Sequence, residues 1–386
     1  MDENKDTLPD TLSVEREPSP DIKLDEPQLT PVFGKKNKFI KKGPLTKKEK
    51  IYFTIAVVFI LAVGVGLLVL ISNQKLTEVD DIKVANKVKV KYYSPLNGVE
   101  VADESATKRT VTAVMIENSP DARPQSGLAE ADVVFEAVAE GGITRFIALY
   151  QNSQPGLIGP VRSLRPYYVD WASGFDPSVA HVGGSPDALN MIRSGNYGVD
   201  IDQFFNSGSY WRSNDRSAPH NVYTNFEKLN ALNASKDKTS SNFKFAPRTN
   251  EKRVEPATAT SIHVEVSSGL FTVDYSYDTE SNSYIRKQGG VEHTDREKGQ
   301  IKPKVVVALK TDISLSSDGS HMNIATNASG TAYVFQNGGI TEGVWSKAGP
   351  KDQLFIKNAD GSKEIPLIRG QTWVTVIAND KTVSWQ

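Results

Sequence analysis

The sequence has no cysteine among its 386 residues. That excludes disulfides, thiolate metal sites, a cysteine nucleophile and a lipid-modified N-terminal cysteine. Net charge is nearly absent as well, with 45 basic against 46 acidic side chains. Residues 1–50 take 11 of those bases and 10 of the acids, leaving 34 and 36 for residues 72–386. Nothing in that balance favours binding nucleic acid. The five histidines show neither H-x-x-x-H nor H-E-x-x-H spacing, so no zinc site and no cofactor are expected. Long apolar runs are missing too, with one exception.

That exception is residues 51–71, 21 residues without a charge and polar only at Tyr52 and Thr54. About 20 apolar residues span a bilayer core, so the run predicts a transmembrane helix. Residues 1–32 hold nine acids, three bases and five prolines and are expected to be disordered. Eight lysines and one glutamate follow between Phe33 and Lys50. Positive charge on that side predicts a single-pass protein of the cytoplasmic membrane. Residues 1–50, the disordered tail with its basic cluster, would be inside and everything after about Ser72 outside. A signal sequence is the rival reading, but the run is long for one and no A-x-A site follows.

The external part reads as a stalk (72–93), a mixed α/β domain (94–245), a linker (246–258) and a β-rich domain (259–386). The expected fold class is thus α+β, membrane-anchored. Residues 94–98, Ser-Pro-Leu-Asn-Gly, form a turn, and residues 110–116 a strand. Residues 132–139 and 144–151 are β-like runs joined by Gly141-Gly142, a hairpin signal. Helices are expected over 163–172, over 188–193 behind Ser185-Pro186-Asp187, and up to about Ala234 behind a Thr224-x-x-Glu227 capping box. Eight alternating or apolar runs, 262–266, 271–277, 283–287, 305–310, 332–336, 343–345, 353–356 and 372–378, predict a small sheet or barrel of six to eight strands.

The chemistry concentrates in residues 114–166, where Arg123, Arg145, Arg162 and Arg165 crowd around Glu117, Glu136 and Glu140. A two-residue Gly-Gly turn sets Glu140 opposite Ile143 and Val138 opposite Arg145. Glu136, Val138, Glu140, Arg145 and Ile147 then share one face, with Arg145 diagonal to both glutamates. A cross-strand salt bridge is the plain reading. The sharper one makes Glu136 or Glu140 a catalytic acid in glycan cleavage. Four residues of strand span about 13 Å, beyond the roughly 5–9.5 Å of paired glycosidase carboxylates, so one glutamate would act alone.

Arg162 and Arg165 flank a helix start, which suits a carboxylate or phosphate, or equally pins their own domain. His181 and His220 read as polar lining of one cleft or as loop-fixing residues. Ser185 lacks a nucleophile elbow, and a cap explains it better than a Ser185–His220 pair. Asn118, Arg123, Arg216 and Asn221 complete the candidate ligand-binding set. Trp345, Trp373 and Trp385 would be core aromatics, or a carbohydrate-stacking face.

Residues 122–127 (ARPQSG), 131–150 (ADVVFEAVAEGGITRFIALY), 158–166 (IGPVRSLRP), 181–187 (HVGGSPD) and 218–224 (APHNVYT) resemble the YerB-like bacterial envelope family, a two-part domain of unknown function. Residues 333–347 and 370–374 (GQTWV) resemble its C-terminal part. The resemblance covers about residues 94–380 and implies a membrane-attached extracytoplasmic protein. Members are commonly lipoproteins; this sequence, lacking cysteine, departs from that and offers residues 51–71 instead. The resemblance brings no reaction. The expected function is binding of a cell-wall polymer or a peptidoglycan-synthesis protein.

Overall fold

The computed structural model describes residues 43–44, 46–85 and 90–386; the polar tail and most of the lysine cluster lie outside them. The chain divides into two units, residues 1–88 and 89–386. The first contributes one described element, the helix Lys47–Ala85. Its stretch Lys47–Leu70 has a mean hydropathy of 2.9 and is long and apolar enough to cross a membrane. The helix continues through residues expected to form the stalk, because no glycine or proline interrupts 72–85.

The second unit is mixed α+β, with a β-rich C-terminal region. Its spine is one ten-stranded sheet. From one edge the strands are Phe355–Asn358, Gly339–Ser346, Ser329–Gln336, Val305–Thr311 and Thr372–Ala378. They continue as Val133–Val138, Thr144–Tyr150, Val111–Glu117, Pro177–His181 and Val199–Asp202. Five strands therefore come from each side of the expected linker. The seam is parallel, with Thr372 opposite Val133 and Thr375 opposite Glu136.

The C-terminal region is thus not one separate small sheet or barrel. Its other strands, Val291–Glu292, Ser283–Gln288, Val273–Asp278, Ser261–Val264 and Val383–Trp385, form a five-stranded sheet of their own. That sheet covers one face of the large one, burying Ile262, Val264, Tyr275 and Tyr284 against Val306, Ala308, Phe335 and Ile377. Farther along the same face lies the helix Phe226–Ser235, through Leu229 and Leu232. The opposite face packs the helices Pro166–Ser173 and Pro186–Arg193 against Met115, Phe135, Ile147 and Val179. Two expected caps differ. Asn225 caps Phe226–Ser235 by accepting from the Lys228 amide, in place of the Thr224 box, and Ser185 occupies an N-cap position without making a side-chain cap.

Trp345 and Trp373 are buried in this core, and Trp385 packs against Tyr333 and Phe335. They offer no open stacking face. A polar network crosses the seam beside them. Glu136 pairs with Arg286 at 2.7 Å, both side chains fully buried. Arg286 also donates to Tyr275 Oη at 2.6 Å and to His293 Nδ1 at 2.8 Å, and lies 4.3 Å over the Trp373 ring. Because His293 accepts at Nδ1, its Nε2 donates to Gln125 Oε1 at 3.1 Å. Burial, with Arg286 and Arg123 adding to it, pushes the His293 pKa well down, which keeps that ring neutral.

Gln125 then donates to Asn118 Oδ1, Asn118 to Thr144 Oγ1, and Thr144 back to Glu136 Oε1. Each donor in this chain meets an acceptor. Replacing Arg286 by methionine would leave the Glu136 carboxylate buried without its cation. We expect a loss of about 3–5 kcal/mol, read as a shifted midpoint in urea unfolding; an unchanged midpoint would show that the pair does not hold the seam.

Candidate carboxyl-edge site

The strands Val111–Glu117, Val133–Val138, Pro177–His181 and Val199–Asp202 all run in one direction. Their carboxyl ends therefore line one edge of the sheet, where open α/β sheets bind ligands. Glu117, Glu140, His181 and Asp202 stand at or just beyond those ends. Residues 158–166 run along this edge and join its parts. Val161 N donates to Val222 O, Arg162 N to Met115 O, Val182 N to Arg162 O and Leu164 N to Gly183 O. Four of the sequence segments singled out above thus meet in space.

The hairpin differs from its expected register. Glu140–Gly142 forms a three-residue turn, with Gly141 and Gly142 at φ of +60° and +76°. Ala139 N donates to Ile143 O, so Arg145 faces Ala137 and Thr144 faces Val138. One residue of slip exchanges the two faces of a strand. Glu136 consequently shares its face with Phe146 and joins the buried network, while Arg145 lies on the other face. Arg145 does not bridge the two glutamates.

Three charged groups result. At the first, Glu117 Oε1 lies 2.9 Å from His220 Nδ1 and 3.2 Å from Arg162 Nε, and accepts from Ser119 Oγ at 3.1 Å. The carboxylate can only accept, so Nδ1 of a neutral His220 carries the proton and Nε2 is left as a base. That Nε2 is 4.0 Å from the exposed Asp121 carboxylate. Glu117 Oε2 is buried without a hydrogen-bond partner, while the buried Arg162 Nε meets Oε1 as an ion pair without hydrogen-bond geometry. The neighbouring side chains of Arg162 and His220 are 26% and 22% exposed.

At the second, Glu140 pairs with Arg145 at 2.6 Å and with Arg165, and His321 Nε2 lies 3.9 Å away. Burial opposes ionisation of Glu140, but the two guanidinium groups outweigh it and its pKa is lowered. Arg145 also donates to Ser163 O, and Arg165 to Leu164 O. At the third, the buried His181 points Nδ1 at Gly183 O (2.8 Å) and Nε2 at Asp200 Oδ1 (3.0 Å). Burial opposes ionisation of Asp200 too, but the His181 hydrogen bond lowers its pKa. Arg193 completes this group through Asp202 at 3.1 Å.

The other expected residues have supporting places. Asn118 is fully buried in the seam network and Arg123 clamps it through Nε and Nη2. Arg216 donates to the carbonyls of Asp121, Arg123 and Pro124, while Asn221 donates to those of Ser213 and Arg216. Together they fix the loop that presents His220. Ser185 Oγ has no hydrogen-bond partner and forms no pair with His220, whose partners are Glu117 and Ser119. Among the described residues no group of three or more His, Asp or Glu stands ready to hold a metal ion.

Sequence reasoning left Asp200, Asp202, Arg193 and Phe204 out of the site. Phe204 and Phe205 are 68% and 72% exposed, and the Phe204 ring lies against Gly183. Adjacent exposed phenylalanines after a short acidic strand were the available signal. Nitrogen NMR of the neutral His220 ring should show the Nδ1–H tautomer and change to Nε2–H in Glu117→Ala; an Nε2–H wild type would remove Glu117 as its orienting group.

Residues 96–240 match the N-terminal domain, and residues 262–374 the C-terminal domain, of the protein family of unknown function DUF3048. The chain is 32% identical over 319 residues to “Putative lipoprotein YerB” of Bacillus subtilis, covering 80% of this chain and 91% of that protein. It is also similar to the crystal structure of the YerB protein from Bacillus subtilis, with a TM-score of 0.67 and 31% identity, over 76% of this chain and 100% of that one. Two matched domains in order, on a fold shared with a relative of this identity, show that the chain belongs to the YerB-like DUF3048 family.

Proposed function

We propose that this is a membrane-anchored, extracytoplasmic cell-envelope protein whose carboxyl edge binds the saccharide part of a wall polymer. Residues 47–70 supply the anchor, with the N-terminus inside and the folded unit outside. Support for the anchor comes from the apolar helix and from the printed description of the relative as a lipoprotein. A peptidoglycan-assembly protein is the alternative occupant of the same edge.

The observation that carries the ligand class is Glu117 Oε2, a buried acceptor without a hydrogen bond, whose sister oxygen Oε1 holds Arg162 Nε at 3.2 Å. A buried acceptor left without a donor is costly until one reaches it. A sugar hydroxyl donates and accepts at once, so one such group can donate to Oε2 while accepting from a neighbouring guanidinium or imidazole. A bare anion would answer Arg162 and be repelled by Glu117. The exposed Phe204 ring beside Gly183 adds an apolar surface for a sugar face.

Glycan cleavage with Glu136 or Glu140 as the acid has less support. Glu136 is sealed in the core against Arg286. Glu140 is held ionised by two arginines, the reverse of the raised pKa a general acid needs. The test is co-sedimentation of the detergent-solubilised chain with purified peptidoglycan, with and without its attached anionic polymers. We expect retention on both, weakened about tenfold in Glu117→Gln, the loss of one charge-assisted hydrogen bond. Equal retention of the variant would sink the site, and release of muropeptides by the wild type would sink the binding-only reading. Protease added outside intact cells should remove the folded unit; its protection would reverse the orientation.

A further inference from the structure

At the amino ends of Val133–Val138 and Thr372–Ala378, the opposite edge of the sheet, is an open cavity of about 480 Å³. Two guanidinium groups border it. Arg369 lies 4.0 Å over the Tyr93 ring, and Arg248 lies 5.3 Å over the Phe245 ring. Both stems pass Gly98, whose φ is +74°: a Cβ there would come within 2.7 Å of Arg248 Cγ and 2.9 Å of Arg369 Cγ. This glycine is what lets two arginines converge on one place.

The two differ in how they are satisfied. Arg248 donates to Ile368 O at 3.1 Å, to Thr372 Oγ1 at 3.0 Å and to Leu96 O, and its Nε is buried without an acceptor. Behind it stands the buried Asp132, whose pKa burial pushes up to about 6. The Arg369 side chain is half-buried and makes no hydrogen bond or ion pair among the described residues; its Nε, too, is buried and unpartnered. The remaining charged residues of the lining are Lys244 and Glu364. Three cations and one carboxylate thus line the cavity, and one of the cations, Arg369, has no acceptor among the described residues.

We propose that this cavity binds a phosphate monoester on a small apolar or aromatic body. The guanidinium fork matches phosphate oxygens with two parallel donors, and Arg369 is already positioned by its contact with the Tyr93 ring. The excess of two positive charges in the lining suits a dianion better than a carboxylate. Pro95, Phe243, Ala246 and Pro247 in the lining supply the apolar surface against which the ester group lies. This site is independent of the carboxyl edge, so either can fail without the other.

The experiment is calorimetric titration of the full chain in detergent. Its probes are inorganic phosphate, phenyl phosphate, benzoate and a monomeric short-chain phosphatidic acid, with the matching phosphatidylcholine as control. Phenyl phosphate should bind more tightly than inorganic phosphate and benzoate. Arg369→Gln should weaken phenyl phosphate binding about tenfold or more, with an unchanged melting temperature. Binding of the phosphatidic acid, but not of the phosphatidylcholine, would identify a lipid headgroup as the source; phenyl phosphate alone would identify a soluble ester. No binding of any phosphate at millimolar concentration, benzoate binding as well as phenyl phosphate, or an Arg369→Gln protein that binds normally would each overturn the proposal.

Discussion

The pairing of Glu136 with Arg286 is the constraint on which the folded unit depends. Two charges removed from water are stable only if every remaining lone pair and proton finds a partner. Here that demand recruits Trp373, Tyr275, His293, Gln125, Asn118 and Thr144, drawn from strands and loops on both sides of the expected linker. The parallel pairing of Thr372–Ala378 with Val133–Val138 supplies the backbone part of the same seam. One sheet, rather than two docked ones, is the result.

That seam also orders the carboxyl edge. Asn118 directly follows Glu117, and its amide is held by Thr144, Gln125 and Arg123. Glu117 is thereby set at a fixed strand end, from which it orients His220 and faces Arg162. Arg216 and Asn221, which looked like ligand-binding residues, spend their donors on loop carbonyls. Their contribution is to make the His220 loop rigid. The edge combines a preorganised group around Glu117 with two satisfied ion-pair groups around Glu140 and Asp200.

Much of this was legible in the chain itself. The eight expected C-terminal strands all exist near their anticipated positions, because period-two alternation and bounding turns are local signals. The helix starting at Pro186 and the turn at residues 94–98 follow from Pro and Gly chemistry in the same way. What could not be read was partnership. Val305–Thr311 and Thr372–Ala378 are apolar on both faces, which marks interior strands without naming their neighbours. Nothing in the sequence ties Arg286 to Glu136 or His293 to Gln125, since those partners lie 150 and 168 residues away.

The hairpin shows the boundary most clearly. By itself the sequence determined that residues 132–151 form two strands about a Gly141-Gly142 turn, because only glycine takes such positive φ values freely. It also determined the apolar run at 51–71 and the absence of all cysteine chemistry. Tertiary structure decided the register, and with it the roles of Glu136 and Arg145. A turn of three residues instead of two sends Glu136 inward to Arg286 and Arg145 to the opposite face. Side chains alternate with a period of two, so a single residue separates a site carboxylate from a structural one.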